Sequence, residues 1–268
     1  MSKFQSKHID VLAALLASVT FFVGMNAMAD ERDRFEARVF KDADNKALNY
    51  RLLKPKAYEA GKKYPMVIFL HGAGERGNDN AKQLVHGMKD YASDALMEKY
   101  PCFVMAPQCP EGKLWVDVNW SSLKHDMPSQ PAEPMRLTIE ALGALQKEFS
   151  IDATRLYVTG LSMGGYGTWD ALQRYPDRFA AAVPICGGGD VKQAKKIAQI
   201  PIWAFHGDKD TAVPVERTRT MIAALKEAGG MPKYTEYPDV GHDSWTATYK
   251  DPALHEWMFA QRLKPKSP

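Results

Sequence analysis

Cysteine is scarce in this chain, with three residues in 268. An odd count leaves at least one thiol unpaired in a monomer, so a disulfide framework cannot be the basis of the fold. Cys102 and Cys109 flank the apolar run 103–106. If that run is a strand, at ~3.3 Å per residue their Cα atoms lie roughly 20 Å apart, beyond disulfide reach. Cys186 ends another strand-like run, and bridging it to Cys109 would need those two strand ends to be neighbours. All three are expected to be reduced. Charge of one sign is also lacking: 35 Lys and Arg face 32 Asp and Glu, a net charge of +3. The basic residues are dispersed, which argues against nucleic acid or an anionic membrane as partner. The lysine-rich stretches 54–63 and 192–196 read as solvated surface. No internal repeat, low-complexity linker or second domain is visible, and the length fits one large α/β domain.

A long hydrophobic run is missing as well. The most apolar segment, residues 11–23, holds about 13 residues, short of the ~20 that span a bilayer. Lys3 and Lys7 precede it, and Ala27-Met28-Ala29 follows it before Asp30-Glu31-Arg32. A positive start, a short apolar core and an A-x-A end make a secretory signal peptide. The expectation is cleavage after Ala29, an exported (periplasmic or secreted) protein, no stable membrane anchor, and one domain over residues 30–268.

What is present is an alternation of strand-like and helix-like segments. Residues 35–40 and 47–53 flank the turn cluster Asp42-Ala43-Asp44-Asn45 and read as an antiparallel hairpin. Residues 65–70 form a fully apolar run of the buried-strand type. Further strands are expected at 102–106, 155–160, 180–185, 202–205 and 233–237. Helices are expected at 81–99, 134–149, 163–174, 191–198, 215–228 and 252–261. This order predicts an eight-stranded, mostly parallel sheet with helices on both faces. The longest irregular stretch, 108–133, carries Trp115 and Trp120 among prolines and reads as an ordered loop over a site.

The chemistry concentrates at Gly160-Leu161-Ser162-Met163-Gly164. A serine between a buried strand and a helix, with glycine two before and two after, can sit on a sharp turn that exposes its hydroxyl. Serine needs a base to take its proton, and the base needs an acid to orient it. On an open parallel sheet these partners belong at the carboxyl ends of later strands. Of seven histidines, His242 follows the last strand. His71 and His206 stand at strand ends with packing roles, and His86, His125 and His255 lack supporting context. The acid is Asp210 or Asp208, which share one turn, with Asp210 better placed to reach back. The tetrahedral intermediate needs two donors. They are the N–H of Met163 and an N–H of the loop His71-Gly72-Ala73-Gly74, assigned to Ala73.

Taken together, His71-Gly72-Ala73-Gly74-Glu75-Arg76-Gly77, Gly160-Leu161-Ser162-Met163-Gly164-Gly165, His206-Gly207-x-x-Asp210-x-x-Val213-Pro214 and Gly241-His242 resemble the α/β-hydrolase superfamily. The resemblance runs from about Phe35 to the C-terminus. It is to the secreted carboxylesterase branch: phospholipase/carboxylesterase-like, feruloyl-esterase-like, polyhydroxybutyrate-depolymerase-like and "predicted peptidase" proteins. It implies the α/β-hydrolase fold, with Ser162 as nucleophile, Asp210 rather than Asp208 as acid, and His242 as base. Only residues 186–200 separate the sixth and seventh strands, so a large lid of the lipase type is not expected.

The resulting expectation is an exported serine carboxylesterase that works through an acyl-enzyme and requires no metal or organic cofactor. Its substrate would be a small or polymer-attached ester, polysaccharide-linked or phenolic, with Trp115, Trp120 and Trp245 walling the site. Trp169, Trp203 and Trp257 are assigned to the core. Two alternatives remain: a peptidase with the same triad, and a non-catalytic binding protein on this scaffold. The second would ordinarily have lost the serine or the histidine.

Overall fold

The computed structural model describes residues 30–263. The segment read as an export signal lies outside the described residues. Eight strands form one sheet: β1 (Glu36–Lys41), β2 (Ala47–Leu53), β3 (Tyr64–Leu70), β4 (Phe103–Pro107), β5 (Ile151–Leu161), β6 (Ala181–Ile185), β7 (Trp203–Gly207) and β8 (Lys233–Tyr237). Their order is β1-β2-β4-β3-β5-β6-β7-β8. β2 pairs antiparallel with both β1 and β4, and the remaining pairs are parallel.

The all-apolar sequence of β3 is explained by its two neighbouring layers. Met66, Ile68 and Leu70 point to one face, Val67 and Phe69 to the other, as the two-residue strand period requires. The first face packs against α3 (Glu133–Glu148), α4 (Met163–Arg174), α5 (Ala194–Ile197) and α6 (Glu216–Glu227), through residues such as Leu142, Trp169, Ile197 and Met221. The second is covered by α1 (Met88–Tyr91), α2 (Asp94–Lys99), α7 (Trp245–Lys250) and α8 (Pro252–Ala260), through Tyr91, Met97, Tyr249 and Met258. A strand buried on both faces has no polar side to alternate with.

Several elements differ from the expectation, among them the helix at 191–198, which is a 3₁₀ turn at Val191–Gln193 followed by the four-residue α5. The single helix over 81–99 does not form: a short 3₁₀ turn at Lys82–Leu84 precedes α1 and α2. Gly87 interrupts it with φ of +72°, and a Cβ there would come within 2.8 Å of the Tyr249 ring. Ser93 then adopts extended geometry and caps α2 through Leu96 N–H. Strand β5 begins at Ile151 rather than 155, because Ile151 pairs with Tyr64 ahead of a register shift. Helix α7 spans six residues, too few for a helical period to show in the sequence.

The carboxyl ends of β3, β5, β7 and β8 open onto one edge of the sheet. The loop at 71–77, Ser162, Asp210 and His242 follow these ends.

Candidate active site

Ser162 links β5 to α4 with φ 54° and ψ −117°, a conformation disfavoured for any residue with a side chain. Its N–H donates to Ile185 O at 3.0 Å. The surrounding glycines make the turn possible. A Cβ on Gly164 would overlap Leu70 O, one on Gly165 would overlap Ile185 O, and one on Gly160 would overlap Gly164 O and stand 2.6 Å from Leu70 O. Only glycine lets α4 close against β3 and β6 at this depth.

Ser162 Oγ lies 2.9 Å from His242 Nε2, and His242 Nδ1–H donates to Asp210 Oδ2 at 2.7 Å. That assignment leaves Nε2 as an acceptor facing the serine hydroxyl. Three turns converge to achieve this, although Ser162 and His242 are 80 residues apart. The turns after β7 and β8 are tied together by Asp208 N–H to Tyr237 O and Lys209 N–H to Val240 O. A Cβ on Gly207 would overlap the carbonyls of Val240 and Gly241, so glycine is needed for their approach.

The Asp210 carboxylate is fully buried. Burial alone would raise its pKa, but hydrogen bonds from His206, His242 and Val213 N–H outweigh burial and hold it well below the usual carboxylate range. His206 Nε2 is 3.2 Å from Asp210 Oδ2, and Ala212 N–H and Val213 N–H donate to Oδ1. Asp208 takes no part: its Oδ1 is buried without a partner, and Lys209 lies 4.0 Å away.

The loop after β3 is rigidly scaffolded. The His71 ring is buried, with Nδ1–H donating to Gly72 O at 2.6 Å and Nε2 accepting from Cys109 N–H at 2.9 Å. Arg76 Nε donates to Ala73 O at 2.9 Å. A Cβ on Gly72 would lie 3.7 Å from Ser162 Cβ, which measures how near this loop comes to the serine. Ala73 opens the 3₁₀ turn Ala73–Glu75. Met163 is the first residue of α4, so its N–H has no partner within the helix.

The three tryptophans proposed as walls are placed differently from one another. Trp115 is fully buried and donates Nε1–H to His71 O at 3.0 Å, which puts it behind the β3 loop rather than on an open wall. Trp120 is half-buried, and its carbonyl accepts from Tyr166 OH at 2.9 Å. Trp245 stands edge-on to the His242 ring at 5.2 Å and meets His86 on its other side at 5.4 Å. Trp169 and Trp203 are buried and Trp257 is partly buried.

Several residues at this edge carry no mark in the sequence. His86 pairs with Glu75 at 3.6 Å, and that pairing raises its pKa. Arg217 and His125 meet beside Tyr166. Cys186 lies under the serine, and burial pushes its thiol far above the ordinary range. Its Sγ and donor atoms of Asp210 and His242 lie within 4.8 Å of one another, but a thiol held protonated is a poor metal ligand.

A family model for phospholipase/carboxylesterase proteins matches residues 57–254. Carboxylesterase SOBER1 of Arabidopsis thaliana is 24% identical over 75% of this chain and 92% of its own length. An uncharacterized secreted protein of Arthroderma benhamiae is 24% identical over 67% of this chain but only 21% of its own length. The chain spans less than half the length of the first curated relatives it matches. Among solved structures, a thermostable esterase superposes with a TM-score of 0.81 at 43% identity, covering 86% of this chain and 64% of that one. With its sheet order and the match across most of its length, the chain belongs to the phospholipase/carboxylesterase family of α/β-hydrolases.

Proposed function

We propose that this chain is an exported serine carboxylesterase acting through an acyl-enzyme. The observation that carries this reading is the pair of hydrogen bonds running from Ser162 Oγ through His242 to the buried Asp210 carboxylate. His242 Nε2 takes the serine proton as Oγ attacks the ester carbonyl. Asp210 keeps the imidazole in the productive tautomer and favours the imidazolium without accepting the proton. The N–H groups of Met163 and Ala73 receive the developing oxyanion, each worth about 3 kcal/mol or more in the barrier. Collapse of the intermediate expels the alcohol, which His242 protonates. A water activated by the same imidazole then releases the acid. Every step uses side chains and backbone of this chain.

The substrate class is a small or polymer-attached carboxylic ester, polysaccharide-linked or phenolic, with Trp120 and Trp245 at the rim of the site. The dispersed charge supports neither a nucleic-acid partner nor a stable membrane anchor. No helix among the described residues is long and apolar enough to cross a membrane. Export is supported by the pattern of residues 1–29 and by the similarity to a protein named as secreted.

Fluorophosphonate labelling of the purified protein, run beside hydrolysis of p-nitrophenyl acetate and butyrate, tests the reading. Stoichiometric labelling at Ser162 with ester turnover is expected. Absence of labelling in the folded protein overturns it.

A further inference from the structure

A buried guanidinium, paired with no carboxylate among the described residues, packs against Tyr166 of α4, the helix that follows Ser162. Arg217, on the first turn of α6, is 2% exposed. Its polar partners are both uncharged: Nε–H donates to Tyr166 OH at 3.3 Å, and Nη2–H donates to His125 Nδ1 in a very short contact. Its carbon Cζ stands 5.3 Å over the Tyr166 ring. Among the described residues no acid pairs with it. Asp190, two residues past Gly188, commits its carboxylate to the backbone N–H groups of Met127 and Lys192. The backbone is cleared to admit the group, since a Cβ on Gly188 would come within 2.5 Å of Arg217 Nε.

Its position relative to Ser162 follows from three connections. Tyr166 is one helical turn past Ser162, and its N–H donates to Ser162 O. Long side chains on a helix lean over the preceding turn, so the Tyr166 ring leans toward the serine. Gly188 lies two residues beyond Cys186, which touches Ser162 N–H. Thr218, next to Arg217, hydrogen-bonds Gly187 O and His206, the histidine that also contacts Asp210.

A buried cation satisfied only by neutral acceptors is unfavourable, so a ligand bringing an opposite charge to it would be stabilised. The group now facing Arg217 suits a replaceable plug. Burial first, and then Arg217 itself, push His125 down to about 4, so the ring is neutral at pH 7. It sits in the 108–133 loop between the exposed residues Lys124 and Asp126; the backbone there is tied by Met127 N–H to the buried Asp190 carboxylate and by the surface ion pair of Asp126 with Lys192, so an incoming anion needs to displace only the His125 ring.

We propose that Arg217 is the anion-recognising residue of a substrate subsite, and that the preferred esters carry a carboxylate near the scissile bond that displaces His125. The proposal rests on the esterase reading for what the subsite serves. A carboxylate fits better than a phosphate dianion, because one guanidinium neutralises one charge and its planar fork matches a planar anion. The Tyr166 ring supplies an apolar wall for the linking carbons.

The test compares monomethyl adipate with dimethyl adipate, which share a chain and differ in charge. Calorimetric binding to Ser162→Ala reads recognition without turnover. The monoester is expected to bind at least tenfold more tightly than the diester, and Arg217→Gln in the same background should remove that difference. His125→Ala should tighten monoester binding several-fold with the diester unchanged, a readout that stands if Arg217→Gln fails to fold. Equal binding of the two esters, binding of neither, or a preference that survives Arg217→Gln overturns the proposal. Turnover of the pair by the unsubstituted protein is scored separately. Selective binding in a protein that shows neither fluorophosphonate labelling nor p-nitrophenyl ester turnover would overturn the esterase reading and leave the subsite standing.

Discussion

The backbone N–H of Ser162 donates to the thiol of Cys186 at 3.3 Å, and both residues hold positive φ, 54° and 40°. Two strained residues at the ends of adjacent parallel strands thus lock together beneath the proposed nucleophile. The thiol is an acceptor there, fully buried and kept protonated by its surroundings.

Thiol chemistry should therefore be silent in the native protein. Cys102 and Cys109 are also buried, with burial pushing each thiol up to about 12, and none of the three is bridged. Ellman's reagent should find no reactive thiol in the folded chain and three after unfolding in guanidinium. Rapid native reaction at Cys186 would contradict the packing described.

Ser162→Ala and His242→Ala should each reduce kcat on p-nitrophenyl butyrate by about a millionfold, because members of a triad act as a unit. Asp210→Asn should cost roughly 10⁴-fold, since the imidazole then loses its tautomer control. Asp208→Asn should change kcat less than about twofold. Steady-state kinetics on the four variants decides it, and a larger loss at 208 than at 210 would reverse the assignment of the acid.

Two glycine-to-alanine substitutions should move stability in opposite directions. Gly164→Ala drives a Cβ into Leu70 O and should cost about 3 kcal/mol or more. Gly143→Ala lies inside α3 with nothing within 4 Å of the added carbon, and should stabilise by about 0.5–1 kcal/mol. Urea unfolding midpoints report both.

Acid should destabilise the fold through His71. Burial holds it down at about 4 against an ordinary value near 6.5, and its Nε2 must stay unprotonated to accept Cys109 N–H. The unfolded chain binds this proton first, so stability is full above pH 6.5 and is lost progressively toward pH 4. Two and a half pH units correspond to roughly 3 kcal/mol. His71→Gln should reduce the slope of that portion of the curve in denaturant titrations from pH 7 to pH 4, leaving the part due to His125 and His255, which burial also pushes down.

Much of the fold was legible because its central strands are buried on both faces: residues 65–70 have no polar position, and nothing but a strand between two helical layers suits such a run. The elbow was legible because its glycines are demanded by backbone contacts within a few residues of Ser162 and recur as a spacing. The segment 81–99 was misread because its interruption at Gly87 answers to the ring of Tyr249, more than 150 residues away in the chain, and local periodicity carries no trace of a distant ring.

The sequence by itself determined the order of strands, the small residues at the turns, and the candidates Ser162, Asp210 and His242, because each follows from local chain chemistry. Tertiary structure alone decided which candidates meet. It turned Asp210 rather than Asp208 toward His242, buried Trp115 behind the β3 loop, slid Cys186 beneath the serine, and set Arg217 against Tyr166 and His125 with no acid among the described residues paired to it. The physical reason is that hydrogen bonds and charge pairing depend on distances of about 3 Å between atoms, and for residues far apart in the chain only the packed sheet sets those distances.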